Sequence, residues 1–160
     1  MTIVLQYNPA LELNLVAYQD AISLAELKAL ARFSAAHPDV LKSDALNIVR
    51  PGADFSAVSL PALDDLFASY RVLFEPLKLE IYRRAAWICH CDAARPYVEH
   101  WLAGRDMRKG MSSEVRQFET YEEAADWLVL GAQEAHLLER GEGFAEVARF
   151  HIPPGAAMSR

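Results

Sequence analysis

A continuous apolar run, Ala85-Ala86-Trp87-Ile88-Cys89, constrains the fold more than any other feature of the sequence. Strands covered on both faces are apolar at nearly every position, whereas strands with one solvated face alternate apolar and polar residues. We therefore predict a strand over residues 84–90 in the interior of a sheet. A fold that contains such a strand needs helices on both sides of that sheet.

Strand and helix signals alternate along the rest of the chain. Leu11, Leu13 and Leu15 alternate with polar residues, which predicts a half-buried strand that pairs with residues 3–7 around an Asn-Pro turn. Further strands are predicted at 46–49 and 114–118, and helices begin near Ser23, Ser59, Pro96 and Thr120. Helices between strands favour right-handed crossovers. The sequence thus predicts an α/β fold with a mixed, mostly parallel central sheet, an N-terminal antiparallel strand pair and a covering of helices.

The fold signals weaken after residue 130. We expect an α/β domain over residues 1–130 and a C-terminal extension over residues 131–160, which packs on this domain or on a partner subunit. Within the extension, the segment FAEVARFHI (144–152) alternates apolar and polar residues, as an edge strand does. This segment is the basis for a predicted homodimer.

Composition limits the classes of protein to which the chain can belong. With 160 residues, 52% of them apolar and 24% charged, it is typical of one soluble globular domain. The net charge of −6 argues against a nucleic-acid partner, and no apolar run has the roughly 20 residues that membrane insertion requires. The start lacks a basic region, so we expect a cytoplasmic location. The basic cluster Arg105, Arg108 and Lys109 is predicted to lie in a solvated loop, with anion binding as the alternative.

The two cysteines flank a histidine in the segment CHCD (89–92), which raises the question of a metal or redox site. On a regular strand Cys89 and Cys91 point to one face and His90 to the other, so one ion cannot readily bind all three. A zinc site needs four ligands, and the sequence offers no second cysteine pair. We therefore predict structural thiols and no cofactor. An enzyme that uses Cys91 or Asp92 is the third-ranked hypothesis.

Two segments carry a family resemblance. Residues 83–89, RRAAWIC, and residues 114–128, EVRQFETYEEAADWL, resemble the closing half of the sporulation-antagonist-like branch of the STAS superfamily. The resemblance covers residues 10–130 in element order and implies a STAS-like fold. Anti-sigma-factor antagonists of this superfamily carry a phosphorylatable serine at a helix start. Here DFSAVSLP (54–61) matches only the first half of that motif, so the resemblance does not extend to the phospho-switch, for which Ser59 is the nearest substitute.

We expect a non-enzymatic regulatory or protein-interaction module with a protein partner. The alternative is a small-molecule or lipid-binding carrier, because related folds include lipid-carrying domains of the Sec14 type and the aromatic residues Phe67, Tyr70 and Trp101 could cover a ligand. Ligands of open α/β sheets bind at the carboxyl ends of the strands. The candidate ligand-binding residues there are Asp54, Ser56, Ser59, Cys91, Asp92 and Arg95. An exposed apolar patch would favour the interaction module, and a closed apolar cavity would favour the carrier. A polar cleft with a perturbed titratable group would favour an enzyme.

Overall fold

The computed structural model describes residues 2–77, 83–104 and 113–153. In these ranges the chain forms six strands, which are β1 (Thr2–Asn8), β2 (Leu13–Gln19), β3 (Asp44–Val49), β4 (Arg83–Cys89), β5 (Ser113–Phe118) and β6 (Ala145–Phe150). It also forms five α-helices, which are α1 (Leu24–Ala36), α2 (Leu60–Phe74), α3 (Arg95–Ala103), α4 (Tyr121–Trp127) and α5 (Ala132–Arg140). Short 3₁₀ turns follow α1 and α2, at Pro38–Lys42 and Glu75–Leu77. The basic cluster of Arg105, Arg108 and Lys109 lies outside the described residues.

The strands form one mixed sheet in the order β5-β4-β3-β2-β1-β6. Strands β2 to β5 are parallel to one another, and β1 is antiparallel to both of its neighbours, β2 and β6. The α/β fold with a mostly parallel sheet and an N-terminal antiparallel pair is therefore confirmed.

Helices cover both faces of the sheet. Side chains from α1, α2 and α3 pack in one core with Val16, Val49 and Trp87 of the central strands. Side chains from α4 and α5 pack in a second core against Leu15 and Ile48 on the opposite face. Residues 85–89 of β4 are all buried, as the continuous apolar run predicts. None of the helices in the described part of the chain has the length and apolarity that crossing a membrane requires.

Three of the predicted helix starts are capped by side-chain hydroxyl groups. The hydroxyl oxygen of Ser23 accepts the amide N–H of Glu26, and the Glu26 carboxylate accepts the amide N–H of Ser23, which completes a capping box at α1. Ser59 caps α2 by accepting the amide N–H of Ala62. Thr120 caps α4 by accepting the amide N–H of Glu123, but its hydroxyl, rather than its amide, donates to the Glu123 carboxylate.

The C-terminal segment adds the edge strand β6 to the same sheet and the helix α5 to the layer that covers it. In α5, Ala135 and Leu138 are buried in the second core. Strand β6 pairs with β1, and its register shifts beside Leu5, which leaves Val147 as an extra residue in a bulge. Glu146 and Arg149 form an ion pair on this strand. Bulges and charged side chains are features that protect edge strands from pairing with another chain.

Candidate functional site

The two faces of the central strands differ sharply in polarity. The face towards α1, α2 and α3 carries Asn14 and Tyr18 of β2, Asn47 of β3 and Arg83 of β4. The opposite face of the same strands is apolar between the strand ends, with Leu13, Leu15, Ala17, Leu46, Ile48, Ala86 and Ile88, and it carries Asp44 and Arg84 where β3 and β4 begin. Buried polar side chains are costly unless they are satisfied, so a buried sheet face that collects them needs an explanation.

The burial of Asn14 corrects one prediction from the sequence. The alternation of leucines with polar residues predicts that β2 has one solvated face, but every residue over 13–18 is buried. Asn14 is 3% exposed and Asn47 is 7% exposed. Both asparagines lie beneath helices rather than in solvent, and both line an internal space.

A cavity of ≈ 80 Å³ lies between this polar face and the helices. Its floor includes Ala45 and Ala85, which are direct neighbours in the register of β3 and β4. Two adjacent alanines leave space that larger side chains would fill. Tyr70 and Phe74 of α2 also border the cavity. The cavity reaches the amino ends of the parallel strands, because Asn14, Ala45 and Arg83 all lie at those ends.

A second cavity of ≈ 40 Å³ adjoins the first and shares Tyr18, Leu30, Tyr70, Trp87 and Trp101 with it. It extends in the other direction, towards aromatic side chains that lie beyond the carboxyl ends of β3 and β4, namely Phe55 and Tyr97. The two cavities lie next to each other along the α1–α3 face of the sheet. We call the two together the sheet cavity.

Hydrogen bonds anchor some of the polar lining residues firmly and others loosely. The amide of Asn14 donates to the carbonyl of Val40 at 2.7 Å, and the hydroxyl of Ser34 donates to the carbonyl of Leu30 at 3.0 Å. Tyr18 donates to Asn47 Oδ1 at 3.4 Å, and Asn47 Nδ2 donates to the carbonyl of Ala86 at 3.5 Å. These last two bonds are longer than the usual 2.7–3.2 Å, so the side chain of Asn47 is free to form a shorter hydrogen bond with another group in the cavity.

Arg83 is the one charged side chain among the described residues that line the sheet cavity. Burial lowers the pKa of Arg83, and nearby Tyr70, Tyr18 and Asp44 oppose this effect. An arginine keeps its proton at neutral pH even so. Burial also raises the pKa of Tyr18 far above its ordinary value, so its phenol stays protonated and can donate a hydrogen bond.

Aromatic rings form the apolar wall of the sheet cavity. Trp87 stacks on Tyr18 with their centroids 5.4 Å apart, and Tyr70 meets Trp101 edge-on at 5.5 Å. Phe67 stacks on Trp101 at 4.1 Å. Of the three aromatic residues that the sequence suggests as a ligand cover, Tyr70 and Trp101 line the sheet cavity, and Phe67 is buried beside Trp101.

Asp54, Ser56 and Ser59, three of the residues predicted to bind a ligand, lie in the loop between β3 and α2. The carboxylate of Asp54 accepts the amide N–H of Ser56 at 2.8 Å, and hydrogen bonds to Ser56 lower the pKa of Asp54. Ser59 caps α2. All three side chains have local structural partners or face solvent, and none lines the sheet cavity.

Cys91, Asp92 and Arg95, the other three predicted residues, follow β4. The thiol of Cys91 donates to the carbonyl of Ala53 at 3.2 Å, which joins the loop after β4 to the loop after β3. Asp92 and Arg95 lie 3.6 Å apart as an ion pair, and Arg95 also contacts Glu119 at 3.3 Å. These residues hold the carboxyl edge of the sheet together, and none lines the sheet cavity.

The residues that line the cavity do leave a signal in the sequence. Asn47 interrupts the apolar strand segment Leu46–Val49, and Asn14 lies between two leucines. A polar residue inside a strand that is buried on both faces points to an internal polar site. Within the described residues, no three His, Cys, Asp or Glu side chains are close enough to hold a metal ion.

Comparisons of the chain with protein-family models, with curated proteins and with solved structures find no match. The STAS-like assignment therefore stays a prediction, and the functional proposal below depends on the geometry of the sheet cavity.

Proposed function

We propose that this protein binds a small polar molecule in the sheet cavity and does so as a binding protein rather than as an enzyme. The observation that carries the proposal is the placement of buried polar side chains. Asn14, Tyr18 and Asn47 line the cavity, whereas the opposite face of the central strands is apolar between the strand ends, where Asp44 and Arg84 lie. A buried polar group without a good partner costs about 1–3 kcal/mol. The hydrogen bonds of Tyr18 and Asn47 are long, at 3.4 and 3.5 Å, and a polar ligand would supply these two side chains with closer partners.

The volume of the sheet cavity limits the size of the ligand. An engineered apolar cavity of about 150 Å³ is large enough for benzene. The larger part of the sheet cavity, at ≈ 80 Å³, accommodates a smaller molecule, and an acyl chain would exceed it. This volume narrows the predicted carrier role to compact polar ligands and argues against a lipid.

The lining chemistry favours binding over catalysis. The described lining residues offer hydroxyl, amide and guanidinium groups, and they include no carboxylate, imidazole or thiol. General acid–base catalysis needs a group that exchanges a proton near the working pH. The raised pKa of Tyr18 holds its proton in place, which suits a hydrogen-bond donor.

Thermal unfolding tests this proposal with five compounds: acetate, propionate, propionamide, 1-propanol and propylamine. A ligand at ten times its Kd stabilises the native state by about 1.4 kcal/mol, which raises Tm by roughly 3–6 °C. We expect at least one compound to stabilise the wild type in this way and to have no effect on Ala85→Leu, whose larger side chain occupies the cavity. Equal stabilisation of both proteins, or no effect of any compound on the wild type, would contradict the proposal.

A protein-interaction role is our second proposal, and a groove between α1 and α2 favours it. The groove has a volume of ≈ 310 Å³, and its lining includes Lys28, Arg32, Leu66 and Val72. Val72 is 73% exposed. The chain carries 22 acidic and 16 basic residues, so a groove with two basic side chains is complementary to much of its own surface. We therefore propose a second copy of this chain as the occupant.

Sedimentation equilibrium at high protein concentration tests the second proposal. We expect a dimer that Val72→Asp dissociates and that Val129→Asp leaves intact. Val129 is a matched control because it is 79% exposed and follows α4, on the opposite side of the sheet. A monomeric wild type, or equal effects of the two substitutions, would overturn this proposal.

A further inference from the structure

Resting on the proposed ligand-binding function, we infer that the sheet cavity binds a small primary amide of about two or three carbons. The carbonyl oxygen of this ligand accepts a hydrogen bond from the Tyr18 hydroxyl, and its N–H group donates one to Asn47 Oδ1. Its short apolar part lies against Ala45 and Ala85.

The sheet holds the side chain of Asn47 in one orientation. Its Nδ2 donates to the backbone carbonyl of Ala86, and its Oδ1 accepts the hydroxyl of Tyr18 at 3.4 Å. The reversed orientation would place Oδ1 against the carbonyl oxygen of Ala86, and both of these atoms are acceptors. Asn47 therefore presents an acceptor towards Tyr18, and the long bond between the two leaves room for a closer donor.

Tyr18 and Asn47 together present one donor and one acceptor to the cavity. The hydroxyl hydrogen of a tyrosine can turn towards a new acceptor, and the raised pKa of Tyr18 keeps this hydrogen in place. A primary amide has a carbonyl acceptor and an N–H donor side by side, so it can form one hydrogen bond with each residue. A carboxylate has acceptors only and cannot donate to Oδ1, whereas an ammonium group has donors only and cannot accept from the phenol.

The charges around the cavity favour an uncharged ligand. Arg83 is the one charged residue among the described lining residues, and it has interactions of its own within the protein. Nearby Asp44 acts on it electrostatically and opposes the loss of its proton. An ion that enters the cavity would lose its hydration without gaining an opposite charge that is not already engaged.

The strand register places space for a short apolar group beside Asn47. Ala45 precedes Asn47 by two residues on β3, so their side chains share a face, and the register neighbour of Ala45 on β4 is Ala85. The register neighbour of Asn47 is Trp87, whose ring stacks on Tyr18. An amide group held at Asn47 can therefore extend its apolar part over the two alanines. At ≈ 80 Å³ this part of the cavity limits the ligand to a few carbons.

Titration calorimetry with propionamide and 2-butanone tests the contact with Asn47. The two compounds are uncharged and similar in shape, but 2-butanone has a methyl group where propionamide has the NH₂ group that donates to Oδ1. The Kd of 2-butanone divided by the Kd of propionamide should be at least about tenfold higher in the wild type than in Asn47→Leu. Gln117→Leu is the control, because Gln117 carries the same amide group on β5 and lines neither part of the cavity. This variant should keep the wild-type ratio.

The outcomes separate this inference from the proposed function. The wild type should also bind propionamide at least about tenfold more tightly than propionate at constant ionic strength. If propionate or 1-propanol binds as tightly as propionamide, or if Asn47→Leu keeps the wild-type ratio, the amide inference is wrong and the binding function stands. If none of the five compounds named above binds, both fail.

A measurement on the wild type keeps the inference testable should Asn47→Leu not fold. In a ¹H–¹⁵N correlation spectrum, propionamide should shift the side-chain NH₂ signals of Asn47 in a saturable way and leave those of Gln117 in place. Unchanged Asn47 signals at saturating propionamide would overturn the inference.

Discussion

Among single residues, Tyr18 on the polar face of the sheet has properties that follow from its burial. Its ring stacks on Trp87, its hydroxyl points to Asn47, and burial raises its pKa far above the ordinary value. In the unfolded chain a tyrosine ionises near pH 10. Between that pH and the raised pKa of the folded state, the unfolded chain binds fewer protons than the native protein. Stability is therefore fully present below pH 10 and falls as the pH rises above it.

We predict that the free energy of unfolding of Tyr18→Phe falls less at alkaline pH than that of the wild type. Above about pH 10 the wild type should lose up to about 1.4 kcal/mol per pH unit more than the variant, because only the wild type carries this phenol. Urea unfolding of both proteins at pH 8 and at pH 11 measures the difference. Identical losses in the two proteins would contradict the burial of the phenol.

Cys89 gives a second prediction at the same scale. Burial raises the pKa of its thiol, and the thiol donates to the carbonyl of Cys91 at 3.1 Å. The thiolate is the reactive form of cysteine, so Cys89 should resist alkylation. Iodoacetamide at pH 8 should add no more than one group to the native protein, on Cys91, and two groups after denaturation. Peptide mapping that finds native modification of Cys89 would show that this residue is accessible.

Within the single strand β4, two adjacent alanines point to opposite faces of the sheet. Ala85 lines the cavity, and Ala86 is packed in the second core. Overpacking a dense core costs about 1–3 kcal/mol, whereas added methyl groups fit into an existing cavity. We predict that Ala86→Val lowers the free energy of unfolding by that amount and that Ala85→Val changes it by less than about 1 kcal/mol. Equal losses in urea unfolding would show that the cavity is absent.

The start of α1 is tied to the end of the chain through Glu26. This carboxylate is 0% exposed and accepts hydrogen bonds from the amide and the hydroxyl of Ser23 and from the amide of Ile152, beyond β6. Glu26→Ala should cost at least about 2 kcal/mol, because it leaves buried donors unpaired. Glu123 occupies the same position in α4 but is exposed, so Glu123→Ala should cost less. Urea unfolding compares the two, and equal costs would contradict the role of burial.

Elements were predictable from the sequence where local chemistry determines them. The helix starts at Ser23 and Ser59 and the continuous apolar run of β4 all depend on residues within a few positions of one another. The environment of β2 was not predictable in this way, because the helices that cover Asn14 come later in the chain. An alternating pattern indicates a solvated face only when nothing packs on that face.

The cavity itself depends on contacts that the sequence does not specify locally. Ala45 and Ala85 are neighbours only because β3 and β4 pair in one particular register. Arg83 lines the same space from the start of β4, two positions before Ala85. The predicted site residues lie instead at the carboxyl edge, where their hydrogen bonds and ion pairs connect loops.

Across the molecule as a whole, the sheet separates the core beneath α4 and α5 from the side beneath α1, α2 and α3, which contains the sheet cavity. The three tryptophans report on both sides of it: Trp87 and Trp101 line the cavity, and Trp127 packs in the second core, beneath Arg84 and Arg116. A ligand in the cavity must therefore affect two indole groups and leave the third nearly unchanged.

The most direct measurement is a ¹H–¹⁵N correlation spectrum of the three indole N–H groups during titration with each of the five compounds. If the sheet cavity is a binding site, at least one compound will shift the signals of Trp87 and Trp101 in a saturable way, while the signal of Trp127 stays in place. If no compound shifts the two cavity signals, or if all three signals move equally, the protein does not bind small polar molecules in this cavity.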